Sequence, residues 1–394
     1  MADKVIGVIT LAEFPGKGGD TANYLEITKQ LIREGFEVVL ICPRVAFEAE
    51  KPSNLDGPEI VRIPYKPLCQ ISNVSKYRRY IEYFFFVMAE SLVVYSTLRR
   101  KGVKYVIMRH SILTMLLPLM LRLMRIKVMA DGDLIREHSE LERRGKFLAI
   151  VQAFERKAIS LYSFLKVSTS AHARALENAG LKYEKIVLIP VSVDIDKIPK
   201  FPLSEIPEHT FGYFGVLEPW QGIDILIDSF KIVVARIPTA ILYIIGEGSQ
   251  GDYLKDKVLR ENIASNIIFV KSIAREELWN DYFSKFRIVV IPRPQQNKSI
   301  DYFLPIKLVE SMAAAKPIIA IDLPYTREIP NCPLYLVKAA EPELLATAME
   351  ALSKDIHMME ELARNALVEA GNFDIKRNAR KIISTLLNAS CKTI

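Results

Sequence analysis

Cysteine is scarce in this chain and never occurs at metal-binding spacing. The four cysteines are scattered over 394 residues, without a C-x-x-C pair and without a nearby histidine at zinc spacing. This distribution argues against a disulfide framework and against a structural metal site. We therefore expect a reducing, cytoplasmic environment and no structural metal ion.

The chain also lacks a long apolar segment. Its most apolar run, 112–124, is interrupted by Pro118 and Arg122 and is shorter than the roughly 20 residues that a membrane-spanning helix needs. The first residues lead directly into the strand-like segment 5–9, which leaves no room for a secretory signal. The sequence therefore predicts neither a membrane span nor a signal peptide.

Two phosphate-binding fingerprints are missing as well. The glycine-rich stretch 15–20 has Lys17 between its glycines, so it matches neither G-x-x-x-x-G-K-[ST] nor G-x-G-x-x-G. Without a dinucleotide fingerprint, a dehydrogenase is only a distant alternative. No arginine-rich groove motif or base-stacking pattern is present, so we expect no nucleic-acid partner.

Positive charge is present in excess and is unevenly distributed. The net charge is +7, and many cations of the first half flank helices rich in aromatic and aliphatic residues, notably 80–88. Such a surface could dock on anionic lipid or hold a lipid-linked substrate. Alternatively, the aromatic stretch is core and the cations form a solvated rim. The sequence does not decide between these two interpretations.

The chain alternates short β-branched runs with amphipathic helices. At 394 residues, half of them hydrophobic, it is long enough for two domains. The first half begins with a strand at 4–10, a helix at 21–35 and a strand at 37–42, and a proline-containing linker follows at 190–207. The alternation then resumes with strands at 211–215, 240–246, 266–270, 287–292 and 317–321. This pattern predicts an α/β protein with two Rossmann-like domains.

The stretch 305–320 combines a charged helix start with a buried strand. At helical spacing Lys307 and Glu310 share one face, and Pro305 stands where proline is tolerated at a helix start. A helix N-terminus that faces a cleft suits a phosphate group. The alternative is an ordinary helix with a surface salt bridge. Arg293, framed by two prolines, is a second candidate for phosphate contacts.

In order and spacing, the motifs resemble those of family-four glycosyltransferases of the GT-B fold. The resemblance covers nearly the whole chain and is strongest in the second half. Gly215 ends a strand, residues 221–224 read Q-G-I-D at a helix start, and 246–248 form a G-x-G loop. Pro292 ends a further strand, and 305–318 contain the P-x-K-x-x-E segment. In the linker, 189–194 is similar to the family's I-P-N-G-V-D.

The resemblance implies transfer of a hexose from a nucleotide-diphosphate sugar, with UDP or GDP as the nucleotide and retention of the anomeric configuration. The acceptor would be a saccharide or a lipid-linked molecule, and no metal ion or other cofactor would take part. Without a metal, cations and helix N-termini must meet the charge on the leaving diphosphate. We assign this role to Arg293 and Lys307. Glu310 is similar to the family's ribose-binding carboxylate.

The family pattern also assigns the remaining donor-binding residues and the domains. The further donor-binding residues are Gly16, Gly18, Gly19, Gly215, Gln221, Gly246 and Leu308. Backbone atoms around 271–274 would contact the base. The resemblance implies an acceptor-binding domain at 1–195 and a nucleotide-sugar-binding domain at 196–372. A C-terminal helix within 373–394 would return to the first domain.

The chain departs from the family pattern at several positions. Where many members carry a first glutamate, this chain has Tyr302, and Asp301 is only its neighbour. The cations that often follow the first strand of the second domain are replaced by Val216 and Gln221. Arg293 and Lys307 would therefore have to neutralise more of the phosphate charge.

The histidine that many members place after a first-domain strand aligns with an aspartate. Asp131 could orient or deprotonate an acceptor hydroxyl, and we assign it to catalysis, although an aspartate there could equally cap a helix. His110, just after another strand, is a second candidate. A lone histidine at a strand end is more often structural.

Two functions from different classes fit the sequence. One is an active glycosyltransferase that builds a cell-surface polysaccharide or glycolipid. The other is a catalytically silent relative that binds a nucleotide sugar or a partner enzyme, which the missing carboxylate and cations favour. We expect an enzyme, because Arg293, Lys307 and Glu310 are all retained. Its location would be the cytoplasm, peripheral at the inner membrane face if the apolar surface docks there.

Overall fold

The chain forms two compact units. The structure is a computed structural model, and unit 1 comprises Met1–Pro190 and Asn378–Ile394, whereas unit 2 comprises Val191–Arg377. The sequence-based domain boundaries fall after 195 and after 372. The residues that the structure describes are 4–11, 19–43, 57–64, 76–110, 114, 116–131, 153–178, 183–296, 299–331 and 333–388.

Unit 1 is built around a seven-stranded sheet. Its elements are β1 (Val5–Ile9), α1 (Gly19–Arg33), β2 (Glu37–Pro43), β3 (Glu59–Ile63), α2 (Lys76–Arg100), β4 (Tyr105–Arg109), α3 (Leu117–Leu123), β5 (Lys127–Asp131), β6 (Phe164–Val167), α4 (Ser170–Asn178) and β7 (Ile186–Leu188). Residues 153–159, between β5 and β6, are also helical. The strand order is β3-β2-β1-β4-β5-β6-β7, with parallel pairing throughout.

The central strands of unit 1 are continuous apolar runs because parallel sheets are covered on both faces. All five residues of β1 are buried, and Val8 pairs with Leu40 on β2 and with Ile107 on β4. The chain runs from β1 outward to β3 and then returns to β4. The strand order therefore reverses between β1 and β4, which is where doubly wound sheets bind ligands.

Unit 2 contains a six-stranded parallel sheet in the order β10-β9-β8-β11-β12-β13. Its strands are β8 (Thr210–Phe214), β9 (Ile241–Ile245), β10 (Ile267–Val270), β11 (Ile288–Ile291), β12 (Ile318–Ile321) and β13 (Tyr335–Val337). Its helices are α5 (Ile223–Arg236), α6 (Gly251–Arg260), α7 (Arg275–Glu277), α8 (Ile306–Ala313), α9 (Pro342–Lys354), α10 (Ile356–Ala370) and the start of α11 (Ile375–Asn388). Helix α7 continues into a π-helical turn, Leu278–Tyr282.

The predicted fold class, α/β with two parallel sheets, is confirmed. Each strand predicted from the sequence is present with ends that differ by at most one residue, and the helix predicted at 21–35 is α1, Gly19–Arg33, whose ends differ by two residues. Differences of this size are normal at helix ends, where the last turn frays. The second part of α11 belongs to unit 1, where Arg380 Nε donates to Glu34 Oε1 at 3.0 Å.

Helix α2 presents an apolar stripe to solvent. We define the α2 stripe as Ile81, Phe84, Phe85, Met88 and Leu92, which recur at helical spacing and are all exposed. Its two phenylalanines are 63% and 59% exposed. The interpretation of this aromatic stretch as core is therefore wrong for the stripe. Within the described residues, no helix is both long enough and apolar enough to cross a membrane.

The buried side of α2 contains two carboxylates. Glu82 and Glu90 are the acidic residues of this helix, and both are buried. Neither carboxylate oxygen of Glu90 has a hydrogen-bond partner in the part of the chain that the structure describes. Burial raises the pKa of Glu90 to about 8. At neutral pH the native protein therefore holds this carboxyl mainly in its protonated form.

We expect Glu90→Gln to remove one source of pH-dependent stability. The pKa rises from an ordinary 4.5 to about 8 on folding, so within this window the native state keeps a proton that the unfolded state loses. The free energy of unfolding of the wild type therefore falls as pH rises through this window, whereas that of the variant does not, because glutamine has no proton to lose. The free energy of unfolding of the variant should exceed that of wild type by on the order of 3 kcal/mol at about pH 9 and match it at about pH 5. Urea titrations measure both values, and the same difference at both pH values would contradict a neutral Glu90.

Candidate functional site

Loops of unit 2 meet at the carboxyl edge of its sheet. They follow β8, β9 and β11, and the strand order reverses between β8 and β11. Gly215 N donates to Ile245 O at 2.9 Å, which joins the first loop to the end of β9. A Cβ added to Gly222 would lie 2.4 Å from Pro292 O, so the first loop also passes close to the third. Glycine permits this close approach of backbones.

Helix α8 starts at this edge, directly after Pro305. Pro305 is extended, with φ −75° and ψ 137°, and the helix begins at Ile306. Proline is compatible with this position because the first N–H groups of a helix have no intrahelical acceptor. The N–H groups of the first turn and the helix dipole favour an anion at this end.

Lys307 is buried in the first turn of α8 and reaches the loop after β8. Its Nζ donates to Tyr213 Oη at 2.9 Å and to Gln221 Oε1 at 3.0 Å. A Cβ on Gly215 would lie 2.8 Å from the same Nζ, so the glycine leaves room for the amine. Burial lowers the pKa of Lys307 well below its ordinary value, and the charge of Arg293 lowers it further.

Arg293 is a second buried cation at this edge. Its guanidinium carbon lies 5.3 Å from the ring centroid of Trp220 and 5.6 Å from that of Tyr325. Its Nη1 donates to Phe303 O at 3.4 Å. Because Arg293 and Lys307 are both buried and repel each other, an anion bound beside them would offset the repulsion and part of the cost of burial. This edge is therefore chemically suited to a phosphate group.

Glu310 is buried on the same helix and contacts Arg275 of α7 and Trp279 of the π-helical turn that follows α7. Its Oε1 accepts hydrogen bonds from Arg275 Nε at 2.8 Å and from Trp279 Nε1 at 3.1 Å, and Arg275 Nη2 lies 2.7 Å away. The interpretation of Lys307 and Glu310 as a surface salt bridge is wrong, because both side chains are buried and hydrogen-bond elsewhere. The described contacts of Glu310 all fall on Oε1.

Sequence reasoning missed the aromatic and cationic partners of these residues. Tyr213 is the fourth of the five residues of β8, and Trp220 lies in the short 3-10 turn Pro219–Gln221 that follows. Neither is one of the motif residues. Arg275 comes directly after the segment 271–274 that we expect to contact a base, but a single arginine there is no signal by itself. The sequence signal that could have identified Tyr213 and Trp220 is their position close to the motif glycines Gly215 and Gly222.

Asp301 holds the loop between β11 and α8. Both of its carboxylate oxygens accept from Gln296 N at 3.0 Å, and the side chain is buried. Tyr302, half-buried, stands at the position of the missing family glutamate. These two hydrogen bonds fix Asp301 within its own loop.

Asp131 lies at the carboxyl end of β5 in unit 1, and both of its oxygens are engaged. Lys166 Nζ is 2.9 Å from Oδ1, and the Tyr24 hydroxyl donates to Oδ2. Lys166 and Tyr24 are themselves buried. These contacts describe a carboxylate held in place by two neighbours. Its role as a base for an acceptor hydroxyl stays a prediction.

His110 is buried beyond the end of β4. Its Nδ1 lies 2.9 Å from Tyr162 Oη, and its Nε2 lies 3.6 Å from Glu155 Oε1. The imidazole is fully shielded from solvent. A ring in this position cannot meet a substrate in the conformation described, which favours the structural alternative for His110.

The remaining predicted donor residues are only partly accounted for. Gly16 and Gly18 lie outside the described residues, and Gly19 is the first residue of α1. Leu308 is buried within α8. In unit 2, by contrast, the structure brings together five of the predicted residues: Gly215, Gln221, Gly246, Arg293 and Lys307.

The second unit of the chain matches a known family. Residues 208–355, which contain β8 through α9, match the family Glycosyl transferases group 1. An uncharacterized glycosyltransferase of Haemophilus influenzae is 23% identical to the chain over 141 residues. That match covers 36% of this chain and 37% of the relative, so the chain matches little more than a third of the relative's length.

Solved structures match the chain over nearly its full length. Sucrose-phosphate synthase from Thermosynechococcus elongatus has a TM-score of 0.77 and 17% identity, covering 98% of this chain and 100% of that one. HepE from Anabaena, solved in complex with UDP-glucose, has a TM-score of 0.69 and 18% identity, covering 97% and 99%. WaaG, a glycosyltransferase involved in lipopolysaccharide biosynthesis, has a TM-score of 0.67 and 15% identity, covering 97% and 99%.

These matches show the fold of the chain and a family match within unit 2. The chain has the GT-B fold, and its predicted resemblance to glycosyltransferases is confirmed, most directly in unit 2. The predicted enzyme class, a glycosyltransferase, agrees with the family that residues 208–355 match and with the name of the curated relative.

Proposed function

We propose that this protein moves a hexose from a nucleotide-diphosphate sugar to a saccharide or lipid-linked acceptor, with retention of configuration and without a metal ion. The observation that carries the proposal is the pair of buried cations, Arg293 and Lys307, beside the start of α8. A phosphate bound beside these two side chains would favour the protonated form of Lys307 and would offset its repulsion with Arg293. The diphosphate of a nucleotide sugar is an anion that fits the family match in this unit.

The proposed chemistry uses these cations on the leaving group. The bond between C1 of the sugar and the β-phosphate oxygen breaks, and the acceptor oxygen forms a new bond to C1 on the same face. The acceptor proton passes to the departing phosphate oxygen, so atoms and charge balance. Negative charge grows on the diphosphate as the bond breaks, and Arg293, Lys307 and the N–H groups of α8 are positioned to stabilise it.

We further propose that Glu310 binds the ribose and that the nucleotide is UDP. The described contacts of the Glu310 carboxylate fall on Oε1, which leaves Oε2 to accept hydrogen bonds from ribose hydroxyls. HepE from Anabaena was solved with UDP and with UDP-glucose, which supports UDP over GDP. In this proposal unit 2 binds the donor, unit 1 binds the acceptor, and the enzyme works in the cytoplasm or on the inner face of a membrane.

A catalytically silent relative is the second candidate. The observation that favours it is the reduced charge of the site, because Tyr302 replaces a carboxylate and Gln221 replaces a cation of the family pattern. Gln221 nevertheless accepts a hydrogen bond from Lys307 at 3.0 Å, so it still orients the amine. We favour the enzyme for this reason.

The first test is a thermal-shift panel of UDP, GDP, ADP and CMP, each with its common sugars, in the absence of metal. We expect UDP and a UDP-sugar to raise the melting temperature selectively. Ligand at about 100 times its dissociation constant adds about 2.7 kcal/mol to stability, which corresponds to several degrees. No shift with any nucleotide, in a protein that melts cooperatively, would contradict donor binding.

A second assay separates the enzyme from a silent binder. Release of UDP from a UDP-sugar that shifts the melting temperature, with water or membrane lipid as acceptor, is the expected behaviour of the enzyme. Selective binding without any release would support the silent relative instead.

A further inference from the structure

Helix α2 is apolar on two sides, and the fold covers only one of them. Phe86, Val94 and Leu98 pack in the core of unit 1, whereas the α2 stripe lies in solvent on the other side of the helix. The stripe spans three turns of helix, roughly 16 Å at 1.5 Å per residue. A contiguous exposed apolar surface of this extent indicates an interaction site.

Helix α3 extends the apolar surface. The crossovers that contain α2 and α3 run in the same direction across the sheet, from β3 to β4 and from β4 to β5. Right-handed crossovers therefore place both helices on the same face of the sheet. Leu117 and Leu121 of α3 join the core cluster that contains the buried residues of α2, and Leu119 and Leu123 point to solvent.

The exposed charges that the structure describes on α2 and α3 themselves have one sign, whereas Lys101, directly after α2, pairs with Glu37 and Glu59. Arg99 and Arg100 are exposed at the end of α2, and Arg122 and Arg125 are exposed at the end of α3. The acidic residues of α2, Glu82 and Glu90, are buried on the core side. The sequence from 116 to 127 contains no acidic residue. The described surface of the two helices is thus apolar with exposed cations and without an exposed carboxylate.

We propose that the α2 stripe, together with Leu119 and Leu123, docks unit 1 on an anionic lipid bilayer. Exposed phenylalanine and leucine side chains would enter the boundary between headgroups and acyl chains, while the arginines would contact lipid phosphates. A second copy of the chain fits this surface less well. A symmetric contact through the same face would bring arginines of one copy against arginines of the other.

This inference deepens the proposed function and rests on it only for the identity of the acceptor. A lipid-linked acceptor is confined to a membrane, so a docked unit 1 would meet it by diffusion in two dimensions. Donor binding by unit 2 does not require docking. The two proposals can therefore fail separately.

Vesicle flotation with the full chain tests the docking surface. We expect wild-type protein to float with vesicles of equal parts phosphatidylcholine and phosphatidylglycerol, and only weakly with phosphatidylcholine alone. Phe84→Ser combined with Phe85→Ser should lower the partition coefficient on anionic vesicles by on the order of tenfold or more. Arg99→Gln combined with Arg100→Gln should lower it by on the order of tenfold, and should leave the weak binding to phosphatidylcholine alone unchanged.

A matched control comes from exposed apolar residues on unit 2. Leu259 and Val368 are 63% and 73% exposed, much like the two phenylalanines. Leu259→Ser combined with Val368→Ser should leave flotation unchanged. An equal loss in this control pair, or no flotation of wild type, would overturn the inference. A dimer of wild type that becomes a monomer in the phenylalanine variant would assign the surface to a second copy and would also overturn it.

Two further measurements distinguish loss of membrane docking from misfolding of a variant and from failure of the proposed function. Phe85→Trp keeps the surface apolar, and its tryptophan emission should shift to shorter wavelength when anionic vesicles are added; no shift would contradict insertion. The Phe84→Ser, Phe85→Ser protein should keep the UDP-dependent thermal shift of wild type. Loss of flotation with the nucleotide shift intact identifies the surface, whereas flotation without any nucleotide shift would contradict only the proposed function.

Discussion

Lys307→Met is expected to lower turnover of the UDP-sugar about 1000-fold, the upper end of the effect of removing one preorganised donor from a developing anion. Methionine fills nearly the same volume but carries neither the charge nor the N–H groups. In the wild type the Lys307 amine is held between Tyr213 and Gln221, each within 3.0 Å. The amine is therefore already held in place before the reaction and does not have to move as the bond breaks. Steady-state release of UDP measures the effect.

Lys316→Met is the matched control for this variant. Lys316 is also completely buried, and burial lowers its pKa to about 7. It precedes β12, and its Nζ donates to the backbone oxygens of Phe283 and Phe286. We expect Lys316→Met to destabilise unit 2, because two buried carbonyls lose their donor, but to keep most of the turnover of wild type. Equal turnover in Lys307→Met and wild type would contradict the site.

Gly246→Ala is expected to destabilise unit 2 by about 4 kcal/mol or more, because a backbone clash adds to backbone strain. Gly246 has φ +146°, a conformation that side chains rarely adopt, and an added Cβ would lie 1.9 Å from Gly215 O. The obstacle is backbone, which cannot rotate away as a side chain can. Gly246 N also donates to Val270 O at 2.9 Å, which fixes the loop from the other side.

Gly251→Ala provides the comparison for this substitution. Gly251 is the first residue of α6, and an added Cβ would meet nothing within 4 Å. Alanine there should be neutral or slightly stabilising, because it restricts the unfolded chain. Urea unfolding of both variants measures the two free energies. Similar values for Gly246→Ala and Gly251→Ala would contradict the packing of the loops after β8 and β9.

The parallel sheets were predictable because their strands are short, β-branched and buried on both faces. Segments such as Val5–Ile9 and Ile288–Ile291 are apolar throughout, which is typical of parallel strands. Periodicity could not show which side of α2 faces the core. Both sides of that helix are apolar, and the buried side is the one with Glu82 and Glu90.

The site in unit 2 was predictable where a local motif fixes the backbone. Lys307 is predictable from a helix start and Gly215 from a strand end, and the structure brings the two residues together. The contact of Glu310 with Arg275 spans 35 residues and depends on where α7 packs. The hydrogen bond from Tyr24 to Asp131 joins two residues that are 107 positions apart in the sequence. Such contacts are set by the tertiary fold, so no local pattern indicates them.

The central claim is that Arg293 and Lys307 hold a diphosphate, and a calorimetric comparison of UDP with UMP tests it most directly. Both ligands share the base and ribose, and only UDP has the β-phosphate. We expect UDP to bind wild type on the order of a hundredfold more tightly than UMP does, and Arg293→Gln to remove most of this difference. Equal affinity for UDP and UMP in the wild type would contradict the account.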